Sequence, residues 1–227
     1  MKIEGLERFE RIPSELENLG EEEIKRILQS EKIKKVICFV LGPPGTNIGQ
    51  AAEKWAKRLK VDQKTEFIWC QTPEEAVERA KKVNENGVLS IFWTCAVYVN
   101  EAFVFFTNPD TLPFFFIEKM NLDEMQLATR PELLPEIKNG KIPKEWRIAS
   151  HPSPAPLVRK LGNSIVFANS NAHAAEICKE GKAEMCITTE SARKIYGLTK
   201  VFSFGSPPMI FFGGITSRGL ELIKKCL

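Results

Sequence analysis

Four short runs of small polar residues combine groups that bind anions with a position between an apolar segment and a helix-like one. They are residues 42–47, 150–154, 169–175 and 188–192. Such strand-to-helix connections gather unpaired backbone N–H groups at the positive end of a helix dipole, which favours anions. In an α/β sheet they lie at the carboxyl ends of the strands, where ligands usually bind. Four of them predict that this chain binds a small anionic molecule.

Hydroxyl and amide side chains within these runs are the candidate contacts for such a ligand. The same residue types cap helices, a role that contributes about 1 kcal/mol to stability, so capping is the alternative for each of them. The candidates are Thr46, Asn47, Ser153, Asn169, Ser170, Asn171 and Thr189.

Two further side chains could contribute proton transfer or positive charge to the predicted anion-binding site. His151 is the candidate catalytic residue, because imidazole titrates near neutral pH and can donate a proton. A structural role in the turn before Pro152 is an equal alternative for it. Arg130 follows a predicted strand and could bind a carboxylate through two parallel hydrogen bonds, although a surface salt bridge would explain it almost as well.

Composition excludes several classes of function. The 227 residues are 43% hydrophobic and 27% charged with a net charge of +3, an ordinary globular balance. Because basic residues are dispersed among acids, nucleic acid is not an expected partner. No apolar run approaches the ~20 residues of a membrane span, and the charged N-terminal stretch lacks the apolar core of a signal peptide. We therefore predict a cytoplasmic protein that does not interact with membranes.

Neither a metal nor an organic cofactor is expected. The six cysteines form no Cys-x-x-Cys pair, which is typical of buried apolar side chains in a reducing compartment. Only His151 and His173 could add imidazole ligands to a metal. The glycines do not form a dinucleotide-binding fingerprint. The predicted partner is a small-molecule substrate, and a homodimer stays open.

The hydrophobic pattern predicts an α/β fold. Apolar strands at 36–41, 66–70 and 88–93 alternate with helices that begin near Thr46 and Thr72, which favours a parallel sheet with right-handed crossovers. Strands are then expected at 103–106, 114–117 and 125–130, strand-helix alternation from 147 to 196, an extended stretch at 201–212 and a helix at 217–225.

Two lobes follow from this order of elements. The predicted first lobe comprises residues 35–105 and 201–227, and the second comprises 106–200. Residues 1–34 would be an N-terminal helical extension with a polar helix at 14–33. If the chain crosses between the lobes near 100–110 and 200–206, all four polar runs should surround one cleft.

The polar runs resemble motifs of the prephenate dehydratase family in both order and spacing. The similarity covers about residues 36–212 and implies a two-lobed fold of the type II periplasmic-binding-protein kind, with prephenate or a similar dicarboxylate in the cleft. The matching segments are Gly42-Pro43-Pro44-Gly45-Thr46, Ser150-His151-Pro152, Asn169-Ser170-Asn171-Ala172 with Ala174-Ala175, and Glu190-Ser191-Ala192 with Tyr196-Gly197-Leu198.

Departures from the family pattern point to one of its branches. Dehydratases carry Thr-Arg-Phe where this chain has residues 206–212, and Pro-Ile-Glu-Asn-Ser near 90–98, which is also missing. No C-terminal ACT domain is expected. The decarboxylase branch that serves bacilysin biosynthesis shares these losses. It also has His-Pro-Ser-Pro, Leu-Ala-x-Arg-Pro, Thr-x-Glu-x-Ala-Arg-x-x-Tyr and a late Pro-Met, as this chain does from His151, Leu127, Thr188 and Pro208.

The resemblance therefore implies a lyase that acts on prephenate, with a non-aromatising decarboxylase preferred. A dehydratase must protonate the hydroxyl group that leaves, whereas the decarboxylase keeps the hydroxyl and protonates a ring carbon. Two alternatives stay open at this point. One is a phenylpyruvate-forming dehydratase with an atypical site, and the other is a non-catalytic protein that binds a small carboxylate.

Overall fold

A computed structural model describes residues 9–42 and 44–227. In chain order the helices and strands are α1 Glu21–Gln29, β1 Lys35–Leu41, α2 Asn47–Arg58, β2 Thr65–Cys70, α3 Pro73–Lys82, β3 Val88–Cys95, α4 Glu101–Thr107, β4 Thr111–Asn121, β5 Met125–Thr129, β6 Arg147–Ser150, β7 Ser164–Phe167, α5 Asn171–Lys179, β8 Met185–Thr189, α6 Glu190–Ile195, β9 Thr199–Gly205, β10 Pro208–Thr216 and α7 Ser217–Lys224. Short 3₁₀ helices cover Asp62–Lys64, Pro131–Glu136 and Ala155–Leu161.

The chain forms two compact units. The first unit contains the described residues up to Met120 together with Met209–Leu227, and the second unit is Asn121–Pro208. Both boundaries lie further along the chain than the expected 106 and 200. The physical reason is strand pairing, because β4 stays in the sheet of the first unit and β9 pairs with β5 in the second.

The first unit is built on a sheet with the strand order β2-β1-β3-β10-β4. Strand β1 runs parallel to β2 and to β3, and β10 is antiparallel to β3. The run from Val36 to Val40 is buried, as expected for a strand covered on both faces. The parallel β-α-β-α-β series predicted from the sequence is therefore confirmed.

The second unit repeats this arrangement with the order β7-β6-β8-β5-β9. Strand β6 lies between its parallel neighbours β7 and β8, and β5 is antiparallel to both β8 and β9. In each sheet the central strand of the parallel triplet precedes its two neighbours along the chain, and an antiparallel strand lies beside one of those neighbours. The predicted α/β class is confirmed in both units.

The prediction of a strand at 103–106 is wrong, because these residues lie in α4. β-Propensity depends on the packing that a side chain finds, and here the aromatic rings find partners from a helix. Phe105 stacks on Phe9 and Phe114 with ring centroids 5.5 Å apart in each pair. The side-chain amide of Asn108 donates to the Val104 carbonyl at 2.8 Å and helps to end the helix.

The N-terminal helix is shorter than predicted and packs on the first unit. It covers nine residues instead of 14–33, and residues 1–8 of the expected extension lie outside the described part of the chain. Ile27 and Leu28 are buried, and Glu21 forms an ion pair of 2.6 Å with Arg58 of α2. The helix is thus joined to the first unit by core packing as well as by charge.

Candidate functional site

One edge of the second sheet collects most of the predicted site residues. Because β6, β7 and β8 are parallel, their carboxyl ends lie at the same edge. Ser150 is in register with Phe167, and the Ala168 amide donates to the Ser150 carbonyl at 2.9 Å. Thr189 is the last residue of β8, and the segments that follow β6 and β7 contain His151, Ser153, Asn169, Ser170 and Asn171. The backbone therefore brings these six residues to one edge.

The N-terminus of α5 is open to an anion. Ser170 caps the helix, with its hydroxyl oxygen accepting from the His173 amide at 3.0 Å. The first turn, Asn171-Ala172-His173, contains no acidic residue, so no carboxylate of the turn compensates the helix dipole. The amides of Asn171 and Ala172 lie where an α-helix offers no internal acceptor. In the described residues the Asn171 Oδ1 atom is buried without a hydrogen-bond partner.

The N-terminus of α6 differs because protein groups already fill it. Thr189 caps the helix by accepting from the Ala192 amide at 3.3 Å. The Ser191 amide donates to a carboxylate oxygen of Asp123 at 2.9 Å, and the Glu190 amide donates to the Glu124 carbonyl at 2.8 Å. The capping alternative thus accounts for Thr189. Asp123, which occupies the anion position, was not expected from the sequence because no motif links it to α6.

His151 is held as a neutral imidazole with one nitrogen engaged. Its Nδ1 accepts from the Ser153 amide at 3.3 Å, which places the ring proton on Nε2. Burial lowers the pKa of His151 below its ordinary value. The group is therefore a hydrogen-bond donor through Nε2–H, and it is a weaker proton source than an imidazolium. Ser153 contributes its backbone to this contact, while its side chain is exposed.

The lowered pKa of His151 predicts a specific acid sensitivity. An unfolded chain takes up the imidazole proton at the ordinary pKa, whereas the folded chain takes it up only at lower pH, so stability falls as pH falls through the window between the two. His151→Asn keeps an acceptor for the Ser153 amide but does not titrate. We expect the free energy of unfolding, measured with urea, to fall more for the wild type than for the variant when the pH is lowered through this window. Equal losses in the two proteins would contradict the prediction.

Asn169 is positioned through a second histidine. The backbone amide of Asn169 donates to the Nδ1 atom of His173 at 3.2 Å. The imidazole in the first turn of α5 thus fixes the loop that precedes the helix. The Asn169 side chain is exposed at the same sheet edge. His173 therefore has a structural role in shaping the open end of α5.

Arg130 lies at the other edge of the second sheet. It follows β5, which is antiparallel to β8, so Thr129 pairs with Met185 at the start of that strand. The guanidinium donates to the carbonyls of Cys178 at 2.6 Å and Ala183 at 2.9 Å. Its Nε donates to Glu132 at 3.1 Å. This placement argues against the expected contact with a substrate and gives Arg130 a role in joining α5 to the sheet.

Thr46 and Asn47 begin α2 at the carboxyl edge of the first sheet. The Thr46 hydroxyl donates to the Leu41 carbonyl at 2.6 Å and accepts from the Gly49 amide at 3.3 Å. The first turn of the helix, Asn47-Ile48-Gly49, is again uncharged. A Cβ atom at Gly49 would lie 2.8 Å from the Trp69 indole, so glycine permits this turn to pack against the ring. As in α5, the end of the helix remains suited to an anion.

The neighbouring helix α3 supplies its own carboxylates. Thr72 caps it by accepting from the Glu75 amide at 3.2 Å, and the Glu75 carboxylate accepts from the Gln71 amide at 2.7 Å. Glu74 in the same turn accepts from the Tyr98 hydroxyl at 2.8 Å. The first turn of α2 has no such carboxylates. Of the two helix ends at this edge, the end of α2 is therefore the one available to an external anion.

A half-buried carboxyl group at this edge was missed in the sequence. The Thr94 hydroxyl donates to Oε2 of Glu101, and the Oε1 atom of Glu101 is buried without a partner among the described residues. Burial raises the pKa of the Glu101 carboxyl. No spacing rule connects these residues, because a loop and a helix end bring them together.

Two absences apply to the residues that the structure describes. There, no group of three or more His, Cys, Asp and Glu side chains is arranged to hold a metal ion. Within the same ranges, none of the helices is both long enough and apolar enough to cross a membrane.

Comparison with known proteins connects these features to a family. The family model for prephenate dehydratase matches residues 38–203. Prephenate decarboxylase of Bacillus subtilis (strain 168) is 28% identical over 188 residues, which cover 80% of this chain and 87% of the relative. Prephenate decarboxylase of Bacillus amyloliquefaciens is 28% identical over 184 residues, with coverage of 78% and 85%.

A solved structure shows the likeness in fold. Rpa4515 of R. palustris with adipate gives a TM-score of 0.53 at 12% sequence identity, covering 87% of this chain and 82% of that one. The family model extends from the first strand of the first unit to β9 of the second. The chain belongs to the prephenate dehydratase family.

Proposed function

We propose that the protein is a prephenate decarboxylase that releases carbon dioxide and keeps the ring hydroxyl. Family membership and the two Bacillus relatives support the broader statement that it is a lyase acting on prephenate. The finer assignment rests on one observation, the apolar character of the segment that would carry the dehydratase Thr-Arg-Phe motif.

That segment, residues 206–212, contains no carboxyl, imidazole or guanidinium group. From Pro208 onward it forms the start of β10, where Phe211 is buried and pairs with Cys95. Ser206 contributes a hydroxyl, but it lies outside the strand and is exposed. This segment therefore contains no acid that could protonate the substrate hydroxyl as it leaves. Residues 206–212 do not assist loss of the hydroxyl.

Each unit offers one helix end without acidic residues in its first turn as a proposed carboxylate site. At α5, the amides of Asn171 and Ala172 would bind a carboxylate, with the Ser170 hydroxyl and the side chains of Asn171 and Asn169 beside it. At α2, Thr46 and Asn47 present a second end of the same kind. Prephenate carries two carboxylates, and each of these ends could accept a carboxylate. Ser153 and the Nε2–H of His151 would donate to oxygen atoms of the substrate.

The reaction is balanced by one proton. The bond between the ring and its carboxylate breaks, carbon dioxide leaves, and the bonding electron pair spreads over the ring diene. A proton then adds to a ring carbon, and the hydroxyl group is retained. In a dehydratase the same electron pair expels the hydroxyl as water and the ring becomes aromatic. Because aromatisation is strongly favourable, a decarboxylase must hold the substrate where hydroxyl departure is not helped.

The dehydratase remains the second candidate, because the matching family model is that of prephenate dehydratase. Product analysis separates the two functions. We expect wild-type protein at neutral pH to convert prephenate into carbon dioxide and a hydroxylated dihydro derivative of phenylpyruvate, observed by proton NMR before any acid is added. A matched sample without enzyme controls for spontaneous aromatisation.

Two outcomes would overturn the proposal. Phenylpyruvate in the sample that has not been acidified would identify a dehydratase. Unchanged prephenate, combined with binding in calorimetry, would identify a protein that binds a small carboxylate without transforming it.

A further inference from the structure

The Thr94–Glu101 pair lies at the carboxyl edge of the first sheet, on the face that α3 covers, and the connection to α2 leaves from the same edge. Strands β1 and β3 are adjacent and parallel, with Phe39 in register with Phe92, so their carboxyl ends share one edge of the sheet. The connection to Thr46 starts from β1, and Thr94 is near the end of β3. On its other side, Thr94 pairs with Phe212 of β10, in the segment that lacks an acid.

The surroundings of Glu101 favour its protonated form. Burial raises the pKa of its carboxyl, and the neighbouring Glu74 carboxylate of α3 raises it further, while the hydrogen bond from Thr94 acts in the opposite direction. Oε1 is buried and has no partner in the part of the chain that is described. An ionised carboxylate with a buried, unpaired oxygen is costly, whereas a neutral carboxyl group is much less so.

Among the residues that the structure describes, no positively charged group acts on the pKa of Glu101. Burial and the hydrogen bond to Glu74 raise the pKa of Tyr98 to about 12, so the phenol stays neutral. Burial also raises the pKa of the Cys95 thiol, which is neutral for the same reason. From β10 the facing residues are apolar, including Phe212 opposite Thr94. The carboxyl thus holds its proton to higher pH than an exposed glutamate does.

We propose that Glu101 is the acid that protonates the ring carbon after carbon dioxide has left. This inference rests on the proposed function. The Glu101 O–H bond breaks, its proton forms the new C–H bond with the electron pair left by decarboxylation, and the resulting carboxylate regains a proton from water. A bound dianionic substrate strengthens the arrangement, because nearby negative charge raises the pKa of the carboxyl before the reaction. His151, being neutral, is the weaker proton source of the two.

Glu101→Gln in the full chain tests this role, because the amide keeps the shape of the carboxyl and its acceptor for Thr94 but donates no acidic proton. We expect kcat to fall by about 100-fold or more, as for the loss of a general acid, while the affinity for prephenate measured by calorimetry stays close to the wild-type value. Wild-type activity should decline as pH rises through the pKa of Glu101. Turnover of Glu101→Gln at the wild-type rate would overturn the proposal.

Two further variants provide readouts that a merely structural role would not move. Glu74→Gln removes a like charge and should shift the alkaline decline of activity to lower pH. Thr94→Val removes the hydrogen bond that stabilises the ionised carboxyl and should shift the decline to higher pH. If neither variant moves the decline, Glu101 is not the titrating acid. These shifts remain informative if Glu101→Gln folds poorly.

Failure of the inference is distinguishable from failure of the proposed function. Carbon-13 NMR of labelled glutamate follows the titration of Glu101 without turnover, and an ordinary pKa would refute the inference alone. Phenylpyruvate as the wild-type product would refute the decarboxylase assignment, and protonation of a ring carbon with it, whatever the pKa of Glu101. No turnover of prephenate by the wild type would refute both.

Discussion

Replacement of Ser170 by Asp should weaken prephenate binding by about 100- to 1000-fold, because a new carboxylate would occupy the open end of α5. Asp is as good a helix cap as Ser, and its charge suits the positive end of the helix, so the fold should be retained or stabilised. The substrate carboxylate, however, would meet a like charge at a few ångströms, which costs about 4 kcal/mol at the effective dielectric of a protein surface. Calorimetry would measure the affinity, and urea unfolding the stability.

Thr189→Asp is the matched control for Ser170→Asp. It places the same carboxylate at the cap of α6, where Asp123 and Glu190 already supply negative charge. We expect some loss of stability from like-charge repulsion and an affinity close to that of the wild type. If the two variants weaken binding equally, the effect is one of net charge and the open end of α5 is not the anion site.

Replacement of Gly214 by Ala should unfold or severely destabilise the first unit, at a cost of about 3 kcal/mol or more. A Cβ atom at this position would overlap the ring of Phe92 and lie 2.8 Å from the Cα of Pro113. Phe92 is almost fully buried and in register with Gly214, so the ring has no space into which to move. Circular dichroism during thermal unfolding would report the lowered transition.

Gly20→Ala is a suitable comparison for Gly214→Ala. It makes the same chemical change at the cap of α1, where the nearest atom to a new Cβ is a Glu23 carboxylate oxygen at an ordinary 3.6 Å. A transition close to that of the wild type is expected for it. A stable Gly214→Ala protein would mean that β10 and β3 can separate enough to accept a methyl group.

The sequence predicted most of the fold because its signals were local. The apolar run 36–41 and the caps Thr46 and Thr72 mark one strand and two helices directly, and the structure confirms all three. The prediction for residues 103–106 was wrong because β-branched and aromatic residues adopt the secondary structure that their packing partners favour, and those partners are distant in the chain. Phe9 and Phe114, which stack on Phe105, could not be identified as those partners from spacing.

The candidate site was harder to predict because polar runs look alike before their partners are known. Ser170 and Thr189 are both helix caps after a strand, yet only the structure shows that Asp123 fills the end of α6. Arg130 has the motif spacing of a ligand contact, but the antiparallel direction of β5 carries it to the far edge of the sheet. Glu101 carried no signal, since its environment arises from burial and from Thr94.

The discontinuous course of the chain has a consequence for biosynthesis. The second unit is continuous, from Asn121 to Pro208, so all of its strands are available once β9 has left the ribosome. The first sheet is not complete at that stage, because β10 must enter between β3 and β4 and Phe211 must find Cys95 across more than half of the chain. Pairings of such long sequence separation form slowly, and domains fold as units during synthesis. The nascent first unit therefore has the facing edges of β3 and β4 unpaired until the last strand is made, and exposed strand edges of this kind are prone to aggregation.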